Sequence, residues 1–96
     1  MDPEVLEVLH GIVDPEIGIN VVDLGLVYRA ERIADSIDIA MTMTARSCPL
    51  GEMILEEARA ALSQHFPGLP TAVNLVWDPP WTPDMMTMQG RESLAM

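Results

Sequence analysis

The sequence predicts an α/β domain of the two-layer α+β kind. Its elements run α-β-β-α-β plus a short C-terminal helical turn, with helices on one face of a three-stranded mixed sheet. Two stretches, around residues 5–13 and 50–62, place apolar residues at helical spacing. Between them lies the clearest two-residue alternation in the chain, and after them a short apolar run bounded by prolines. With 96 residues the chain is expected to form one domain, 1–96, with its core over 3–87 and 88–96 as a frayed tail.

Asp2 is placed to cap the first helix, with Pro3 at its first position and Glu4 and Glu7 near the positive end of the dipole. Val5, Leu6, Leu9, Ile12 and Val13 give its apolar face, and Gly11 and Asp14-Pro15 end it. Residues 14–20 read as a turn-rich link. Val21, Val22, Leu24, Leu26, Val27 and Tyr28 read as a strand, with a bulge or close backbone approach at Gly25. Ala34-Asp35-Ser36 is a hairpin turn. Ile37, Ile39, Met41 and Met43 then alternate with Asp38, Ala40, Thr42 and Thr44, as a strand with one buried face requires. Pro49 suits the first position of the second helix, which makes Cys48 its N-cap. Leu50, Ile54, Ala58, Ala61 and Leu62 line that helix, and Phe66-Pro67-Gly68 stops it. Thr71–Trp77 is a strand. Asp78-Pro79-Pro80 ends it because proline has no N–H to give to a ladder, and Thr82-Pro83-Asp84 starts a short helical turn through Met86.

Composition excludes several functions. Fifteen acids against five bases give a net charge of −10, a surface that repels phosphate backbones, so no nucleic-acid partner is expected. Every base is arginine, which removes the P-loop, the Schiff base and the lysine general base. One cysteine allows neither an internal disulfide nor a self-contained four-cysteine site. No apolar run approaches the roughly 20 residues of a membrane span. The acidic start Met1-Asp2-Pro3-Glu4 and the lone thiol fit a cytoplasmic protein.

The chemistry converges on Cys48. A thiol at a helix N-terminus faces unpaired N–H groups and the positive dipole end, which favour the thiolate, and Arg46 is near in sequence. The distant carboxylates oppose this weakly, because charges beyond a Debye length of about 8 Å are screened. On spacing alone, the commoner fate of a lone cysteine is that of a small buried hydrophobe. Asp14, Glu16 and Asp23 are candidate bases or hard-metal ligands, with turn formation the more frequent role. His10 and His65 sit near helix ends, where a cation is favoured. Trp77 and Trp81, with Met85, Met86 and Met88 after them, make either a partner-binding patch or a lid on the core. Met41, Met43 and Met53 read as core filler.

Residues 14–27, Asp-Pro-Glu-Ile-Gly-Ile-Asn-Val-Val-Asp-Leu-Gly-Leu-Val, resemble the signature of the SufT/PaaD-like family of small iron–sulfur cluster assembly factors. That family shares its domain with the eukaryotic cytosolic iron–sulfur targeting factor. Thr42-Met43-Thr44 leading into Cys48-Pro49, and Trp77-Asp78-Pro79-Pro80-Trp81-Thr82-Pro83-Asp84-Met85, agree with it, so the likeness spans residues 14–85. The resemblance implies the same α-β-β-α-β fold. It implies that Cys48 is the reactive thiol and transient metal ligand, and that Asp14, Glu16, Asp23 and Thr44, with Arg46 nearby in sequence, mark one surface region. It also implies iron–sulfur assembly or recipient proteins as partners. No cysteine follows Cys48, so the cysteine-rich tail of the phenylacetate-pathway member has no counterpart here. Other members carry an N-terminal extension before the core; with its first helix read from Asp2, this chain is expected to be the minimal domain.

Ligand arithmetic restricts the cofactor. Iron–sulfur clusters take four thiolates as a rule. One chain offers one and a homodimer two, so any cluster is labile and shared between chains, and none is tightly bound. The leading expectation is a maturation factor with no catalytic residues. A thiol enzyme using Cys48 as nucleophile is the first alternative. His65, about 25 Å down the same helix, is too far to serve it as base, which leaves His10. A non-catalytic interaction module serving one metabolic enzyme complex is the second.

Overall fold

The computed structural model describes residues 1–44 and 51–94. Helix α1 (Pro3–Leu9) is followed by a two-residue hairpin, β1 (Val13–Asp14) and β2 (Ile19–Asn20). Strands β3 (Val27–Ile33) and β4 (Ser36–Met41) pair antiparallel; α2 (Gly51–His65) then leads to β5 (Thr71–Leu75), parallel to β4. A 3₁₀ turn (Pro83–Met85) and α3 (Met88–Leu94) complete the order. The main sheet is the expected mixed three-stranded one, in the order β3-β4-β5.

Asp2 caps α1 as its position predicts, its carboxylate accepting from the N–H groups of Glu4 (2.9 Å) and Val5 (3.1 Å). Asp2→Ala should therefore cost about 1 kcal/mol, read as a shift in the urea midpoint at unchanged m-value. Asp2→Asn, which keeps an acceptor, should restore most of it.

Alternation in β4 sends Ile37, Ile39 and Met41 into the core with Val5 and Leu9 of α1, Ile54, Ala58 and Leu62 of α2, and Val73 of β5. Its other face is less open than expected, since Ala40 and Thr42 are also buried. At the β3–β4 turn Ala34 takes a left-handed φ of 52°, which a two-residue hairpin connection demands. The outward side chains Arg29 and Asp38 pair across the strands at 2.9 Å.

Four expectations are corrected. Helix α1 stops at Leu9 and not at Val13: Gly11 closes a turn on Val8, and Val13 pairs with Asn20 in the small hairpin, leaving its side chain exposed. The run Val21–Leu26 is a series of turns and not a strand, because Gly25 has a φ of +79° and Leu24 N–H donates back to Asn20. Its apolar residues Val21, Leu24 and Leu26 are buried from a loop, and the ladder irregularity falls between Val27 and Arg29. Met53 is 42% exposed, so it does not fill the core. Residues 88–94 form a helix instead of fraying: Thr87 caps it through Gly90 N–H (3.1 Å) and is itself tied to Asp23.

Candidate functional site

The chain leaves β4 through Thr42–Thr44 and re-enters described structure at Gly51, the first residue of α2. Arg46, Cys48 and the expected Cys48 cap of α2 belong to residues 45–50 and lie outside the described residues. What the structure shows is the frame on either side of them. Met43 is buried and packs against Gly51: a Cβ there would stand 3.5 Å from Met43 Cγ. Val76 N–H donates to Met41 O (2.8 Å), so the segment after β5 rises beside the end of β4. Thr44 is half-buried at this end.

Tyr28, at the start of β3, completes the same end of the sheet. Its hydroxyl donates to Pro79 O (2.7 Å), with Met85 Sδ 3.3 Å away. Burial raises the phenol above its usual value and the Asp78 carboxylate adds to this, against a lowering by the Thr42 hydroxyl. Tyr28 therefore stays a proton donor throughout the neutral range. The Thr42 hydroxyl is fully buried beside it and makes no hydrogen bond of acceptable geometry among the described residues. Sequence reading missed Tyr28, whose only signal was a lone aromatic in an apolar run.

The predicted carboxylates serve turns. Asp14 is 3% exposed; its side chain accepts Glu16 N–H (2.9 Å) and its carbonyl accepts Ile17 and Gly18 N–H, which shapes the β1–β2 connection. Glu16 is exposed on that turn. Asp23 accepts from Asn20 Nδ2 (2.8 Å) and Thr87 Oγ1 (2.9 Å), and His10 Nε2 lies 3.9 Å away. It thereby joins the end of α1, the small hairpin and the cap of α3. Among the described residues no three His, Cys, Asp or Glu side chains are grouped to hold a metal ion. His65, at the far end of α2, faces Glu4 (3.2 Å).

The aromatic and methionine patch divides. Trp81 Nε1 donates to Leu24 O (2.7 Å), so it ties the C-terminal segment to the Val21–Leu26 turns, and both tryptophans pack half-buried on the core. Met86 is buried and offers no contact surface. Met85 is half-buried and Met88 is 77% exposed. No helix among the described residues is long and apolar enough to cross a membrane.

The chain is similar to known proteins over most of its length. The family model described as iron-sulfur cluster assembly protein matches residues 2–74. The chain is 38% identical over 93 residues to the Fe-S protein maturation auxiliary factor YitW of Bacillus subtilis (strain 168), covering 96% of this chain and 91% of that one. It is 37% identical over 86 residues to the Fe-S protein maturation auxiliary factor SufT of Staphylococcus aureus (strain USA300), covering 88% and 98%. The crystal structure of a domain of unknown function from Bacillus anthracis superposes with a TM-score of 0.92 at 33% identity, over 97% of this chain and 90% of that one.

Proposed function

We propose that this chain, which belongs to the iron–sulfur cluster assembly protein family, is a maturation factor that assists the transfer or insertion of clusters into recipient proteins. The observation that carries the reading is its likeness, over nearly its whole length, to two proteins named as maturation auxiliary factors. Cys48 is the thiol that handles the cluster, which is cargo and not a resident group. One thiol per chain holds a cluster only together with thiols from elsewhere, either a second copy or the partner. An incomplete ligand set favours release, which transfer requires. Partners are iron–sulfur assembly or recipient proteins in the cytoplasm, met through basic faces that the net charge of −10 attracts.

Two features support an accessory role over catalysis. His65 pairs with Glu4 at the C-terminal end of α2, and His10 pairs with Asp23. The carboxylates Asp14 and Asp23 are occupied in turns and clamps.

The test is Cys48→Ser in cells that lack the chromosomal copy. Activity and cluster content of recipient enzymes should fall to the level of cells with no copy at all, while the purified variant melts like the parent. Anaerobic treatment with iron and sulfide should give the parent a weak chromophore that the variant lacks. Full recipient activity with the serine variant, or a strong stable chromophore on it, would remove Cys48 from the reading.

A further inference from the structure

A groove of about 800 Å³ lies along the start of β3, at the same end of the sheet as the chain's exit from β4. Its lining is mostly apolar, with Leu6, Val22, Tyr28, Val76 and Met85 half-exposed and Pro79 exposed. A volume of this order suits a few side chains of a ligand. The Val21–Leu26 turns and the C-terminal segment are held in place by the Trp81–Leu24 and Tyr28–Pro79 bonds, so the walls are built before anything enters.

Charge at the groove is one-sided. Arg29 is neutralised by Asp38 at 2.9 Å, and the Met1 amine faces Glu31 at 3.8 Å. Asp78, exposed at the lip and close enough to Tyr28 to act on it, forms no ion pair among the described residues. Backbone geometry adds a direction. β3 is an edge strand with β4 on one side only, and its outer edge accepts a single residue in extended conformation, Asp2 at φ −69° and ψ 121°, which donates its N–H to Ala30 O at 2.7 Å before α1 begins.

We infer that this groove receives an extended segment of a partner protein, with leucine-sized apolar side chains seated against Val76 and Met85 and a neighbouring arginine or lysine meeting Asp78. Extended backbone places alternate side chains on one face, so the two apolar residues of an apolar-basic-apolar pattern enter the groove, and the basic one between them stays at the surface, where its long stem reaches the exposed Asp78. The inference goes beyond the maturation reading, because it requires neither a cluster nor Cys48.

The test titrates the ¹⁵N-labelled chain with the blocked pentapeptide Ala-Leu-Arg-Leu-Ala and with its glutamate counterpart, Ala-Leu-Glu-Leu-Ala. The arginine peptide should saturate, with amide shifts concentrated on Val27, Tyr28, Val76 and Met85, and the glutamate peptide should bind more weakly. Asp78→Asn should weaken the arginine peptide about threefold, as expected of an exposed ion pair. Asp78→Lys should reverse the preference between the two peptides. The Asp78 side chain forms no hydrogen bond or ion pair among the described residues, so both variants should melt like the parent. Shifts mapping elsewhere, equal binding of the two peptides, or an unchanged preference in Asp78→Lys would overturn the proposal. So would a concentration-dependent dimer with its interface on these same residues, which would assign the groove to a second copy.

Discussion

Gly25→Ala should lower the melting temperature by more than 10 °C and loosen the C-terminal segment from the rest of the fold. Two separate costs add at this position. The φ of +79° is left-handed, which costs a residue with a Cβ about 1–2 kcal/mol. A Cβ would also stand 2.3 Å from Met85 O and 2.6 Å from Met85 C, and both are backbone atoms that no rotamer change can move. The 3₁₀ turn must therefore back away, straining the Trp81–Leu24 and Tyr28–Pro79 hydrogen bonds that hold it. A total near 3 kcal/mol corresponds to about 12–24 °C for a domain of this size. Gly18→Ala and Gly68→Ala separate the two costs. Both glycines have a positive φ, 81° and 87°, and neither has any atom within 4 Å of the added carbon. Those variants should lose only about 1–2 kcal/mol each. Trp81 fluorescence should shift to the red in Gly25→Ala alone. Equal melting of all three would mean that Met85 yields without cost.

The contrast among these glycines shows where sequence reading reaches its limit. Periodicity found α2 and β4, because each buries a regular face on one core, and a short apolar run between prolines marked β5. It failed over residues 21–26, where Val21, Leu24 and Leu26 are buried from turns and so carry no period. The signal that could have corrected this was chemical: Asp14, Asn20 and Asp23 are turn formers, and Gly25 interrupts the apolar run. Residues 88–94 were opaque for a different reason. The short helix α3 is weak by its own pattern and is fastened by a contact with Asp23, distant in sequence. The candidate site was legible only as a resemblance: the thiol stands out by count, while the tie between Tyr28 and Pro79 spans 51 positions and leaves no local trace.

Asp23 is where a structural and a chemical role can be told apart most sharply. Asp23→Ala should destabilise the fold by about 2–3 kcal/mol, since it removes acceptors from Asn20 Nδ2 and Thr87 Oγ1 in a half-buried setting, and each such loss costs about 1–1.5 kcal/mol. Thr87 caps α3 through Gly90, so hydrogen exchange should rise first over residues 88–94. Asp23→Asn keeps most of this clamp. One side of the introduced amide still accepts from Asn20, and the other donates to the Thr87 hydroxyl, which has a second lone pair free while it accepts from Gly90. Its cost should be about 1 kcal/mol or less. The two variants therefore predict different patterns in the maturation assay. If Asp23 acts by holding three segments together, activity follows stability, and Asp23→Asn supports recipient enzymes at nearly the parent level. If the carboxylate charge takes part in handling the cluster, Asp23→Asn loses activity while its melting curve stays close to the parent. The bonds to Asn20 and Thr87 favour the first outcome, because they tie the carboxylate to the small hairpin and to the cap of α3.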